Sequence, residues 1–476
     1  MNDFFLFDTL RKKKILFRSI HENYVNMYSC GPTLYNVPHI GNYRAYIFED
    51  LLRRSLEFYG YNVIQVMNLT DVDDKTIKQS IIQKMSIKEL TNKYKDQFFR
   101  DLDILNIKPA NHYPHATGHI KEIIEMIDQL LSKKIAYPTE DGSIYFSIKK
   151  FKNYGKLSKI YFCNLDNNIS RIDHDSYKKD CIADFALWKS KTNEDGDIFW
   201  ESPWGKGRPG WHIECSAMSK KYFGNTLDIH TGGVDNIFPH HENEIAQNES
   251  TTGEKFVNYW VHCEHLLVDG NKMSKSLNNF YVLDDLLNKD VKWNEIRWVL
   301  LSTHYRNKLN FTFDSCISAR KILNKFYNLF YNLNMIIKCD LCQEDCNYNF
   351  IEEILNKFKI YIGNDLDISG ALSILFELYK KTNNMISDGT LTSKCASYIL
   401  KAFANMNSVL GIFKDEDING INVIPSNILL LLNERNNCRD NKNFNKSDEL
   451  RDELYSKGWK IEDTKYGTFL KRIEDE

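Results

Sequence analysis

YVNMYSCGPTLYNVPHIGNYRAYIFEDLLRRSLEFYGYNVIQVMNLTD, residues 24–71, alternates between two hydrophobic periods. YVNMY (24–28) is short, aromatic and β-branched and runs into CGP, as a strand does when it ends in a tight turn. From His39 to Tyr59 the apolar residues Tyr46, Ile47, Leu51, Leu52 and Leu56 recur at helical spacing, and Gly60 closes the run. YNVIQVMNL (61–69) then reads as a buried strand. Strand, helix and strand within ~45 residues form a βαβ unit, which implies a parallel sheet with a right-handed crossover. The expected class is therefore α/β.

Working outward, KEIIEMIDQLLSKK is helical, GSIYFSI alternates, and a polar Asn-, Asp- and Lys-rich stretch runs to about residue 198. Residues 121–205 are expected to form an insertion with its own small sheet. It separates the two halves of a Rossmann-type domain, residues 1–120 and 206–265, because GWHIECSAMSKKYF and TLDIHTGG resume the helix and strand pattern. A connecting region, 266–314, carries KMSKS. Beyond Asp314 the segments are amphipathic at the 3.6 period, which predicts a helical bundle over 315–425, broken at VIP (423–425). Residues 426–476 form a small α+β unit: the helix NKSDELRDELYSKG, stopped at Gly458, then a hairpin.

The 476 residues suit two to four domains, and 42% hydrophobic with 26% charged residues is a soluble globular composition. A net charge of −2 and a pI of about 6.7 say nothing for or against nucleic acid, so any such binding must come from local patches. No apolar run approaches the ~20 residues needed to span a bilayer. The start, MNDFFLFDTLRKKK, reverses the order of a secretory signal, so a cytoplasmic location with no membrane partner is expected. The 11 cysteines are odd in number and scattered, which suits thiols in a reducing compartment, some of them ligands.

The residues with chemistry cluster where strands end, which is where open parallel sheets bind ligands. Cys30 follows the first strand; Thr70, Asp71 and Asp73 follow the second; Gly232, Gly233 and Asp235 follow TLDIH; VHCEH ends another. PHIGN (38–42) opens the first helix, offering free N–H groups and a positive dipole end to phosphate. Gly41 clears space for a flat ring, and His39 can donate to a phosphate oxygen; the plainer alternative is a helix cap with an incidental histidine. KMSKS (272–276) sets Lys272 and Lys275 three apart, able to stabilise charge on a phosphate or, alternatively, to be a surface loop. In FPHHENEIAQ (238–247), His240 and Glu244 share a helix face at i, i+4, but His241 also reaches Glu244 at i+3, so spacing does not choose between them.

PHIGN with KMSKS resembles the signature pair of class I aminoacyl-tRNA synthetases. CGPTLYN, NLTDVDDK, DFALWK, WGKGRPGWHIECSAM, FPHHENEIAQ and GNKMSKS resemble the cysteinyl-tRNA synthetase family in particular, from about residue 20 to the C-terminus. The resemblance implies ATP-dependent activation of L-cysteine, with Mg²⁺, to an adenylate and then transfer to tRNA(Cys). It implies ATP contacts from His39, Gly41, Asn42, Lys272 and Lys275, with His39, Asn42 and the two lysines catalytic. It implies a substrate pocket of Gly31, Thr70, Trp211 and Asp235. Trp211 could shape the wall and Asp235 could hold the ammonium group or the ribose; each could equally be packing or a turn residue. It assigns residues 266–314 to a stem-contact loop region, the bundle to tRNA binding and 426–476 to anticodon recognition by Arg435, Arg439 and an exposed Trp459. A monomer is expected. Two positions depart from the family: Asn42 stands where the signature's last histidine is usual, and Gly118 (in ATGH) stands where glutamate is usual.

The resemblance also implies one zinc ion held by Cys30, Cys215, His240 and Glu244; the choice of His240 rests on it alone. His241 and Glu242 are then expected to face other surfaces. Two sulfurs, a nitrogen and an oxygen form an acceptable zinc set. Its dispersal along the chain suits a substrate metal, since a metal-bound thiol loses its proton and thiolate is a soft ligand while a serine hydroxyl is not. Size exclusion of one methylene gives only ~10–200-fold selectivity, so zinc would serve in place of an editing domain. Buried side chains without metal are the alternative. CDLCQEDC (339–346) has tighter metal spacing, through Cys339, Cys342 and Cys346, but no evident fourth ligand; incidental thiols are expected there, with an accessory metal or redox pair as the alternative. A cysteine ligase of thiol-cofactor synthesis shares the catalytic half but needs no anticodon-reading tail. A zinc hydrolase would want a second histidine at i+4. A catalytically dead RNA-binding paralogue is disfavoured by the intact motifs.

Overall fold

The computed structural model describes residues 3–160, 184–274, 277, 279–338, 349–420, 424–464 and 466–473. Its central sheet has four parallel strands in the order Val257–Cys263, Leu227–Gly233, Tyr24–Ser29, Asn62–Met67. The strands become buried toward their carboxyl ends, as expected of a sheet covered on both faces. The helix Ile40–Phe58 connects Tyr24–Ser29 to Asn62–Met67 and buries Tyr46, Ile47, Leu51, Leu52 and Leu56, the residues that helical spacing singles out. The chain is α/β, as the βαβ reading requires.

The strand Leu227–Gly233 returns on the opposite side of Tyr24–Ser29 from Asn62–Met67. Strand order therefore reverses there, and a crevice forms beyond the carboxyl edge. Between the halves, Ala136–Pro138, Ile144–Phe146, Phe185–Ser190 and Gly207–Pro209 build a separate antiparallel sheet. It packs with the helix Ile120–Ser132 around Phe146, Leu187 and Trp188. The helices Asp74–Gln83 and Ile87–Ile104 and a hairpin of Phe5–Asp8 with Lys13–Leu16 complete the first half.

The bundle helices are Phe313–Lys338, Asn349–Gly363, Ile368–Ser387 and Ser393–Leu410. A buried ionic junction ties them to the crevice. Arg297 is fully buried; it pairs with Asp50 on the helix Ile40–Phe58 at 2.5 Å and donates to the carbonyls of Leu105, Asn106 and Leu410. Asp50 also holds Arg54 at 2.7 Å, so one carboxylate serves two guanidiniums, whose other donors go to backbone carbonyls. Past Pro425, the helices Ser426–Asp440 and Phe444–Ser456 and the hairpin Trp459–Thr464 with Gly467–Arg472 pack around a small core that Tyr331 of the helix Phe313–Lys338 joins, while Tyr466 and Phe469 reach the main core. Gly458, at φ +84°, ends the second of these helices in the left-handed conformation, as its position suggests.

Candidate active site and metal centre

A cleft of about 550 Å³ opens at the crevice, lined by Cys30, Gly31, His39, Gly41, Asn42, Trp211, Asp235 and Lys272 among the expected residues. His39 is the N-cap of the helix Ile40–Phe58. Its Nδ1 accepts from the Asn42 backbone N–H at 3.2 Å, and Asn42 Oδ1 accepts from the His39 N–H at 3.0 Å. Cap and cleft residue are thus the same histidine. Burial lowers its pKa, so the ring is neutral; with Nδ1 accepting, its proton sits on Nε2. Asn42 likewise keeps Nδ2 as its donor end. At Gly41 a Cβ would come within 2.6 Å of Met273 Cε, and at Gly31 within 1.9 Å of the Asn68 carbonyl oxygen.

Lys272 lies on the short strand Asn271–Lys272 and is exposed. Asn279, which the motif reading passed over, anchors this loop by accepting from the Ser274 N–H at 2.8 Å and donating to the Lys272 carbonyl at 3.2 Å. Lys275 lies outside the described residues, as do Cys339, Cys342 and Cys346.

Beside the cleft the Cys30 and Cys215 sulfurs, a His240 ring nitrogen and a Glu244 oxygen all lie within 4.8 Å of one another. The helix Trp211–Phe223 supplies Cys215, the helix Glu242–Thr252 supplies Glu244, and the turn before that helix supplies His240. Glu244 Oε1 is buried and stands 3.0 Å from His240 Nε2, yet is not aligned for a hydrogen bond with any group. Burial pushes the Glu244 carboxyl up, but His230 and His240 outweigh it and hold its pKa at about 2. Burial likewise opposes the charge on His240, but Glu244 and Cys215 raise its pKa to about 10. A hydrogen bond from Cys30 lowers the Cys215 thiol to about 6 against its burial, while burial and Cys215 push Cys30 up. Two sulfurs, an imidazole nitrogen and a carboxylate with one buried oxygen left without a hydrogen bond converge here, a donor set that fits a tetrahedral metal.

Residues that the sequence reading missed crowd this cluster. His230 Nε2 lies 3.0 Å from Glu244 Oε2, and His212 Nδ1 lies 2.8 Å from His240 Nδ1. His241 does not face elsewhere: its Nε2 is 3.2 Å from Cys30 Sγ and its Nδ1 is 2.8 Å from His262 Nε2. The segment around Glu242 is buried on most sides, so adjacent positions both meet the interior. Burial and the neighbouring imidazoles hold His241 well below the usual histidine pKa. Glu242 does turn away, accepting from the N–H groups of Gly155, Leu157 and Ser158. The available signal was a histidine inside each of two apolar strands, TLDIH and NYWVHC.

Trp211 is part-exposed, with its ring 4.4 Å from that of His240. Asp235 is exposed, 3.4 Å from His265. Thr70 does not line the cleft: it is buried, accepting from Asn68 Nδ2 at 3.1 Å and donating to Glu214 at 3.3 Å. Asn68 Oδ1 in turn accepts from the Gly31 N–H at 3.0 Å. Gly118 sits in the turn Ala116–His119 with open space where a side chain would stand.

Two of the residues expected to meet tRNA are interior. Trp459 is 4% exposed, packed among Leu432, Leu454 and Leu470 because the hairpin folds onto its two helices. Arg435 is fully buried and doubly bonded to Asp463 at 3.0 and 2.9 Å. Arg439 also pairs with Asp463 but keeps about half its side chain exposed. A buried indole cannot stack on a base, and Arg435 has its charge met within the protein.

Residues 16–321 match the family model described as the tRNA synthetases class I (C) catalytic domain. A Cysteine–tRNA ligase of Brachyspira hyodysenteriae is 48% identical over 99% of this chain and 100% of its own length. One from Protochlamydia amoebophila is 46% identical over 98% and 97%. Mycobacterium tuberculosis methionyl-tRNA synthetase with methionyl-adenylate has the same fold, with a TM-score of 0.58 at 15% identity over 82% of this chain and 88% of that one. A leucyl-tRNA synthetase of Agrobacterium radiobacter, in a ternary complex with tRNA, also scores 0.58, at 10% identity over 84% and 86%. The chain belongs to the cysteine–tRNA ligases of the class I tRNA synthetases.

Proposed function

We propose that this cleft joins L-cysteine to ATP, with Mg²⁺, and then passes the cysteinyl group to the 3′ end of tRNA(Cys). The cysteine carboxylate attacks the α-phosphorus in line; an O–P bond forms, the bond to the β-phosphate oxygen breaks, and pyrophosphate leaves. Such transfer needs positioning and charge stabilisation rather than a protein nucleophile. His39 Nε2–H and Asn42 Nδ2 donate to phosphate oxygens at the helix start, Gly41 leaves room for the nucleotide, and Lys272 with Lys275 meets the charge on the departing pyrophosphate. Asp235 receives the substrate ammonium. Gly31 and Trp211 form walls of the cysteine pocket; Thr70 acts from beneath, holding Asn68 against Gly31.

Cys30, Cys215, His240 and Glu244 would hold zinc, which supplies a soft Lewis acid that takes a thiolate and not a serine hydroxyl. The observation that carries this reading is the convergence of those four residues, from three separate parts of the chain, beside a cleft that also holds His39 and Lys272. We assign residues 121–205 to the connective insertion within the catalytic halves 1–120 and 206–265. Residues 266–314 are assigned to the loop and stem-contact region, 315–425 to tRNA binding and 426–476 to the anticodon, with Arg439 as the exposed cation there. A cytoplasmic monomer suits this work, and no described helix is long and apolar enough to cross a membrane. The test is cysteine-dependent ATP–pyrophosphate exchange followed by charging of tRNA(Cys); no exchange with cysteine overturns the reading.

A further inference from the structure

We propose that a second divalent-metal position, made by Cys30, His230, His241 and Glu244, lies behind the first, and that one zinc ion can occupy either. The inference rests on the zinc reading above. The four donor atoms of this second set also lie within 4.8 Å of one another. Cys30 and Glu244 belong to both sets. The Glu244 carboxylate divides between them, with Oε1 3.0 Å from His240 Nε2 and Oε2 3.0 Å from His230 Nε2. Cys30 Sγ stands 3.2 Å from His241 Nε2. Donors around a tetrahedral zinc stand roughly 3.3–3.8 Å apart, from bonds of about 2.0–2.3 Å. Both contacts of the second set would therefore open by only a few tenths of an ångström.

The far sides of both rings have partners of the kind that orient metal-bound histidines. His230 Nδ1 lies 3.3 Å from the Thr231 carbonyl oxygen. His241 Nδ1 meets His262 Nε2 at 2.8 Å, and His262 Nδ1 meets Thr9 Oγ1 at 2.8 Å. Each arrangement can keep the Nε2 lone pair directed at the shared ligands.

The two positions differ in access. His240 packs on Trp211, which lines the cleft, while His230 and His241 pack on Trp260, which does not. His230, His241 and Glu244 are fully buried. Cys30 is the one ligand of the second position that lines the cleft; the other three are enclosed by protein, so an ion there is shut off from the substrate on the side that Trp211 opens for the first. The second position would hold zinc without binding cysteine, so metal content and thiol selection become separable.

The test uses the full chain with Cys339, Cys342 and Cys346 changed to Ser, which removes the other thiol cluster. This parent should bind one zinc; if it binds none, the zinc reading itself fails. Adding Cys215→Ala and His240→Ala leaves only the second set. We expect one zinc to survive gel filtration, a tetrahedral cobalt(II) spectrum with charge transfer from a thiolate, and no spectral response to cysteine. A further His241→Ala should empty the site. A folded double variant without metal overturns the proposal, as does bound metal indifferent to His241→Ala. Should the double variant not fold, Cys215→Ser is nearly isosteric: X-ray absorption showing two imidazoles at zinc supports the second position, and one imidazole overturns it.

Discussion

Arg435→Ala should unfasten the C-terminal unit without touching amino-acid activation. Removing one partner of a buried ion pair costs ~3–5 kcal/mol, but Asp463 is 37% exposed and can rehydrate, so ~2–3 kcal/mol is the better figure. Opening a unit of about fifty residues, held by this small core and by Tyr466 and Phe469 in the main one, costs roughly 2.5–7 kcal/mol. The substitution therefore consumes a large fraction of it. Native-state hydrogen exchange should show protection in the helices Ser426–Asp440 and Phe444–Ser456 falling roughly 30- to 150-fold, at about 1.4 kcal/mol per tenfold. Pyrophosphate exchange should be unchanged, because this small core shares no residue with the cleft lining. Unchanged protection with a raised KM for tRNA would instead make Arg435 a direct tRNA contact.

The same pair sets a pH dependence. Arg435, ahead of Thr468 and Arg439, holds the Asp463 carboxyl below its usual range despite some burial. The folded pKa is thus lower than the unfolded value of about 3.9. The stabilisation is complete at neutral pH and is lost as pH falls below ~4 toward the folded value; fluorescence of the buried Trp459 should report this loosening, and Arg435→Ala should weaken that dependence, leaving the part that Arg439 and Thr468 supply. Lys272→Ala should cut the exchange rate by ~10²–10³ while leaving tRNA affinity intact, as the loss of one charge-stabilising group does; a change under threefold counts against its role. Gly31→Ala puts a methyl 1.9 Å from the Asn68 carbonyl oxygen, so overpacking of ~1–3 kcal/mol should lower the melting temperature and impair exchange. A wild-type melt with normal activity would mean that the cleft wall yields freely.

The βαβ unit was legible because its apolar residues follow one period at a time: Tyr46, Ile47, Leu51, Leu52 and Leu56 have no other way to be buried together. The candidate metal set was legible only through the resemblance, since Cys30 and Cys215 are distant in sequence and His240 and His241 are equivalent by spacing. His230 and His262 escaped because a residue inside a buried strand reads as packing, and only the strand register sets them beside Glu244 and His241. Trp459 and Arg435 misled for the converse reason. An aromatic and an arginine in a charged segment look solvated, yet the hairpin buries the ring and Asp463 neutralises the guanidinium. Arg297 is hidden likewise, its partner Asp50 lying 247 positions away.

The proposed chemistry turns on thiol selection by a metal held beside this cleft. Its most direct test is ATP–pyrophosphate exchange with cysteine and with serine, before and after verified zinc removal and again after zinc is restored. We expect exchange with cysteine far above that with serine in the loaded protein, loss of cysteine exchange on removal, and recovery on reloading. Cysteine exchange that persists at full strength in metal-free protein would mean that no metal selects the substrate.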